Sequence, residues 1–160
     1  MSEINSIKSS RMNLSNPLVN AEDLKDHIGV GAIIYNHKNE ILMFHHLKYD
    51  FWTIPIGKCS NGETPWESLQ KELKEEIDLS LNLKDFEEIA SFEKMYPRGS
   101  GIKTCIQQRL YKIRMRIQPE LVKNKEPHKH DKMEWMSLEE ITEKFKYLSD
   151  LTRMMLVMEL

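Results

Sequence analysis

The chain has 160 residues, a length that fits one domain around a single core. With 40% hydrophobic and 30% charged residues it has an ordinary globular composition, and a formal net charge of −2 excludes a general electrostatic pull toward nucleic acid or an anionic membrane. No apolar run has the length of a membrane span, and the polar stretch Met1 to Asn20 lacks the apolar region of a secretory signal. Cys59 and Cys105 make no CxxC pair and no disulfide framework, so the expectation is a cytoplasmic protein with reduced thiols.

In chain order, residues 1–25 mix Ser, Asn and charges and read as a loosely ordered leader, with residues 26–160 as one domain. Ile28 to Tyr35 reads as a buried strand, closed by the turn-forming Asn36-His37-Lys38-Asn39 and paired with Glu40 to Leu47. Phe51 to Ile54 is a short aromatic strand ending at Pro55. A helix is expected from about Thr64 to Ile77, then strands over Phe86–Met95 and Ile102–Ile117 around the turn Pro97-Arg98-Gly99-Ser100-Gly101. In the second strand Lys112, Arg114 and Arg116 alternate with apolar residues, giving one basic face expected to be solvated. Lys132 to Met136 reads as a last strand, and helices start at the capping signals Ser137-Leu138-Glu139-Glu140 and Ser149-Asp150. Strands and helices in this mixture indicate an α/β fold around a mixed sheet.

The chemistry concentrates in Gly57 to Leu79. Thr64 can cap the helix, Pro65 suits its first position, and Glu67 completes a Thr-x-x-Glu capping box. Trp66, Leu69, Leu73 and Ile77 form an apolar stripe, while Glu72, Glu75 and Glu76 fall together on a neighbouring face. Such glutamates are commonly the solvated side of a helix. Crowded carboxylates also suit a hard cation such as Mg²⁺ or Mn²⁺, which combines oxygen ligands with substrate phosphates.

The spacing to Gly57 and Glu63 points to the second reading. The stretch resembles the Nudix box, Gly-x5-Glu-x7-Arg-Glu-apolar-x-Glu-Glu-x-Gly-apolar: Gly57, Glu63, Glu72, Leu73, Glu75, Glu76 and Leu79 match in register. Lys71 stands where Arg is usual, a point charge in place of a planar fork. Asp78 stands where Gly is usual, at a site that needs a left-handed backbone, which Asp tolerates better than most residues. Trp52-Thr53-Ile54-Pro55-Ile56-Gly57 resembles the family's lead-in, and Asn39-Glu40-Ile41, Gly62-Glu63-Thr64-Pro65 and Glu134-Trp135-Met136-Ser137-Leu138 are similar to its MutT-like branch. The resemblance covers roughly residues 28–145.

It implies a Nudix-type α/β/α sandwich and a metal-dependent hydrolase that cuts a phosphoanhydride bond in a nucleoside-diphosphate-linked substrate. The MutT-like features favour a (d)NTP, cut to the monophosphate and pyrophosphate. ADP-ribose, dinucleoside polyphosphates and capped RNA ends stay open, as does a non-catalytic nucleotide-sensing module. The implied metal ligands for Mg²⁺ or Mn²⁺ are Gly57, Glu72, Glu75, Glu76 and Glu134, with Lys71 and Glu63 supporting. Glu72 or a loop residue, His130 or Glu126, would be the general base. Trp52, Tyr96 and His130 are the substrate-binding candidates. The implied partner is a small nucleotide, with a homodimer left open and no membrane.

Overall fold

The computed structural model describes residues 27–59, 62–80, 87–98, 102–157 and 159. The expected leader, 1–25, lies outside them. The strands are β1 (His27–Tyr35), β2 (Ile41–His46), β3 (Phe51–Thr53), β4 (Ile56–Lys58), β5 (Glu87–Arg98), β6 (Ile102–Arg116) and β7 (His130–Met136). The α-helices are α1 (Pro65–Ile77), α2 (Leu138–Glu143) and α3 (Asp150–Leu156).

Among the described residues the seven strands form one sheet, ordered β3-β2-β1-β6-β5, with β4 paired to β1 and β7 to β2. β1 and β6 run parallel from His27↔Gln108 to Tyr35↔Arg116, and the other pairings are antiparallel, so the sheet is mixed as expected. β1 is central and apolar on both sides because both faces of the sheet are covered. Val30, Ala32 and Ile34 pack with Leu42, Phe44 and the α1 residues Leu69, Leu73 and Ile77. On the other face Ile33 packs with Ile41, Met43, Ile54 and the α2 and α3 residues Ile141, Met154, Met155 and Leu156. The result is the expected α/β/α sandwich, each fully buried aliphatic side chain contributing about 1.5–3 kcal/mol.

Three local expectations change. β4 has no periodic signal of its own; three residues after Pro55 become a strand because β1 offers an open edge at Gly29, Val30 and Gly31. β5 continues through the predicted turn to Pro97 and Arg98, which is tolerated because β5 lies at the end of the sheet order, where proline forfeits no ladder bond to a further strand. The basic face of β6 is not solvated throughout. Lys112 is buried under α3, its ammonium donating to the Met155 carbonyl at 3.0 Å and lying 3.8 Å from a Glu159 carboxylate oxygen. Alternation reports a face of the strand, not whether a helix covers it.

α1 ends as the sequence indicates. Asp78 adopts the left-handed conformation, φ 57°, with its backbone N–H on the Lys74 carbonyl and its carboxylate 2.8 Å from the Lys74 ammonium. Exposed pairs of this kind contribute little, so the backbone decides the outcome of substitution. Asp78→Gly is expected to change stability by less than about 0.5 kcal/mol, whereas a β-branched Asp78→Val costs about 1–2 kcal/mol. Urea midpoints check both, and equal midpoints for the two variants would show that the left-handed turn carries no strain.

Candidate active site

The capping box that starts α1 is present in full. Thr64 Oγ1 accepts from the Glu67 N–H at 3.1 Å, and Glu67 Oε1 accepts from the Thr64 N–H at 3.4 Å. Glu63 ties the preceding loop to the first turn by accepting from Ser68 Oγ at 2.8 Å. With both ends capped and Leu69, Leu73 and Ile77 buried, the rotation of the helix is fixed, and the glutamates separate by environment. Glu76 is 3% exposed, Glu72 is half-buried, and Glu75 is exposed.

Glu72 lies over Gly57 of β4. A Cβ on that glycine would stand 2.6 Å from both Cγ and Cδ of Glu72 and 2.9 Å from its Oε1. Only the bare backbone permits this approach. One turn on, the Glu76 carboxyl lies near enough to that of Glu72 to feel its charge.

A loop completes the site from the other side. Lys123 N–H donates to the Ile77 carbonyl at 3.2 Å and Lys125 N–H to the Glu76 carbonyl at 3.0 Å, so the segment before β7 is stitched to the last turn of α1. Asn124 orders that segment, its Oδ1 accepting from the Glu126 N–H at 3.2 Å and its Nδ2 donating to the His130 carbonyl at 2.8 Å. The His130 ring stacks on Phe44, centroids 4.4 Å apart. The outcome is a group of Glu76, Glu126 and His130 whose ligand-capable atoms all lie within 4.8 Å of one another.

Burial and the neighbouring Glu72 push the Glu76 carboxyl up to about 9, with Glu126 adding repulsion and Lys129 opposing it. Burial, then the charge of Lys129, lowers His130 to about 4, so at neutral pH its imidazole is uncharged, with Nδ1 buried and lacking a hydrogen-bond partner. Three carboxylates and one neutral imidazole form a donor set that fits a divalent cation such as Mg²⁺ or Mn²⁺, the imidazole suiting Mn²⁺ better. Burial beside Glu72 and Glu126 favours a protonated Glu76, and a cation among these groups would favour its charged form.

Gly57, Glu72 and Glu76 are therefore brought together, and His130 joins them. Glu126 was weighed from sequence as a base only; the hint of a shared role was the Pro-interrupted Glu126-Pro127-His128 loop, which has no periodicity to read. Glu75 and Lys71 sit on the exposed side of α1. Glu134 is not brought to the cluster: it pairs with Met43, whose side chain belongs to the opposite core, while Met133 and Trp135 pack on the α1 side. Trp52 is likewise on the far face, buried in that opposite core and flanked by the ammonium groups of Lys132 and Lys144, each 5.9 Å from its ring. Tyr96 stands opposite Thr104 in the β5–β6 ladder; its side chain lies outside the described residues.

The sequence profile of the NUDIX domain matches residues 25–155. The chain belongs to the Nudix family. It is similar to an RNA pyrophosphohydrolase of Ruthia magnifica subsp. Calyptogena magnifica, 42% identical over 52 residues that span 32% of this chain and 29% of that protein. An 8-oxo-dGTP diphosphatase of Proteus vulgaris is 38% identical over 60 residues, 36% of this chain and 54% of that protein. The chain thus spans only about a third to a half of these curated Nudix relatives. The crystal structure of a MutT protein from Methanosarcina mazei aligns over 81% of this chain and 88% of that one, with 22% identity and a TM-score of 0.57, a likeness of fold. Among the described residues no helix is long and apolar enough to cross a membrane.

Proposed function

We propose that the chain is a divalent-metal-dependent hydrolase of nucleoside-diphosphate-linked compounds, with a (d)NTP, cut to the monophosphate and pyrophosphate, as the favoured substrate. The observation that carries this reading is the convergence of Glu72 on Gly57 and of Glu76 on Glu126 and His130. Nudix relatives named as a diphosphatase and a pyrophosphohydrolase support it.

Glu72, Glu76 and Glu126 would hold the cation, with the His130 nitrogen and the Gly57 carbonyl beside them. When bound, that cation supplies neutralisation of the pyrophosphate oxygens and an acidified water. The protein's remaining task is positioning, as in phosphoryl transfer generally. A buried imidazole held at about 4 is a poor proton acceptor at neutral pH. The general base is thus a carboxylate, Glu72 or Glu126. Ser68 and Glu63 anchor the loop after Gly57 to α1 and keep Glu72 in place.

The test is incubation with (d)NTPs, ADP-ribose, NADH, diadenosine tetraphosphate and triphosphate-ended RNA in Mg²⁺ or Mn²⁺, with products separated by ion exchange. Cleavage that EDTA abolishes is expected, and the best substrate fixes the class. Binding without cleavage across the whole set would instead identify a non-catalytic nucleotide-sensing domain.

A further inference from the structure

Beside the acidic cluster, between the turn after β2 and the loop before β7, lies a cavity of about 420 Å³, a volume usual for small-ligand sites. His46, Leu47, Lys48, Tyr49, His128 and Lys129 line it, and its walls are mostly apolar. The two loops are joined: Leu47 N–H donates to the Lys129 carbonyl at 3.0 Å, and His46 pairs with His130 across the β2–β7 ladder. The rings of His46 and His130 meet edge-on with centroids 5.6 Å apart, so one wall of the cavity is continuous with the group around Glu76.

Three features of this cavity are unexplained by packing. Leu47 is 54% exposed. Tyr49, half-buried against His46 and Phe51 at ring centroid distances of 4.7 and 5.6 Å, keeps part of its surface open. His46 is nine-tenths buried, yet its Nδ1 has no hydrogen-bond partner. Around them stand Lys48, Lys129 and His128, the first 5.3 Å from the Tyr49 ring centre. Aromatic and aliphatic walls suit a flat π surface, and the surrounding cations suit the phosphates attached to it.

We propose that this cavity seats the nucleobase of the substrate, stacked on Tyr49 and against Leu47, with Lys129 placed between the base and the phosphates held at the Glu76 cluster. The proposal rests on the hydrolase reading for the phosphates alone; the base contact is separable from it. It makes Leu47, Tyr49 and His46 the residues that set base preference.

Protein NMR titrations of the metal-free chain with adenosine, guanosine, cytidine and uridine, with ribose as the baseless control, test the contact apart from catalysis. At least one nucleoside is expected to shift the Tyr49 ring and His46 imidazole signals while ribose does not. Tyr49→Ala should weaken that nucleoside about tenfold, Tyr49→Phe should restore it, and Leu47→Asp should weaken it too. In turnover assays Tyr49→Ala should raise KM by a similar factor with far less effect on kcat. Base-dependent shifts in a protein that cleaves nothing would uphold the cavity and remove the hydrolase reading. Cleavage with nucleoside shifts and KM indifferent to both Tyr49 and Leu47 would overturn the cavity and leave the hydrolase standing.

Discussion

Glu76→Gln should lower kcat by about 10²- to 10³-fold and, in EDTA, should make the protein more stable than the wild type. The two effects share one cause. Glu76 is buried beside Glu72 and Glu126, and its carboxyl is raised to about 9 from an ordinary value near 4.5. Below pH 4.5 the folded and unfolded chains both hold this proton, and nothing is lost. Between 4.5 and 9 the unfolded chain releases it while the folded chain does not, so the metal-free fold loses stability as pH rises. A shift of this size amounts to about 3 kcal/mol at pH 7. Gln keeps the shape beside Glu72 without a proton to lose. Thermal melts in EDTA at pH 5 and pH 7.5 should show the variant's advantage only at the higher pH. Mn²⁺ at a hundredfold excess over Kd should stabilise the wild type by about 2.7 kcal/mol, raising its melting point, and leave the variant nearly unmoved. A variant that melts lower than wild type in EDTA, or keeps the full Mn²⁺ response, would remove Glu76 from the cation site.

Gly57→Ala is the second large effect. The added carbon would stand 2.6 Å from Glu72 Cγ and Cδ, well inside contact distance, so one partner must move. β4 is paired with β1 at Gly29, Val30 and Gly31, and the Cys59 N–H continues the tie to the Ile28 carbonyl at 2.8 Å. The backbone is therefore the stiffer side, and the Glu72 side chain gives way by rotating out of the cluster. A displacement of this size at a catalytic carboxylate is expected to cost about 10²-fold in kcat/KM. The loss of stability should be modest, about 1–3 kcal/mol. The double variant Gly57→Ala/Glu72→Ala should then be no slower than Glu72→Ala alone, since both substitutions remove the same group. Additive losses would show that Gly57 acts through something other than Glu72.

What could be read from the sequence follows the range of the interactions involved. α1 is written locally: a capping box at Thr64, Pro65 at its first position, an apolar stripe at helical spacing and a left-handed stop at Asp78, all within fifteen residues. The glutamates were legible as a group, but which of them is buried was not. That depends on Gly57, which sits on another strand, and on the loop that Lys123 and Lys125 bind to the helix end. Glu134 shows the limit most plainly. In a strand the side alternates with each residue, so its face is set by register against Met43, and no local pattern fixes register. The same holds for Trp52 and Lys112, whose surroundings are supplied by helices about ninety to a hundred, and about forty, residues later in the chain.

Lys112 carries a consequence for how this molecule comes into being. Its ammonium lies inside the sandwich, facing the Met155 carbonyl and the Glu159 carboxylate. Until those residues have left the ribosome, the sheet interior would enclose a cation stripped of water and of these two counterparts, an arrangement costing several kcal/mol. Closure of this half of the core thereby waits on Met155 and Glu159, and a chain cut near residue 150 would linger as an open intermediate.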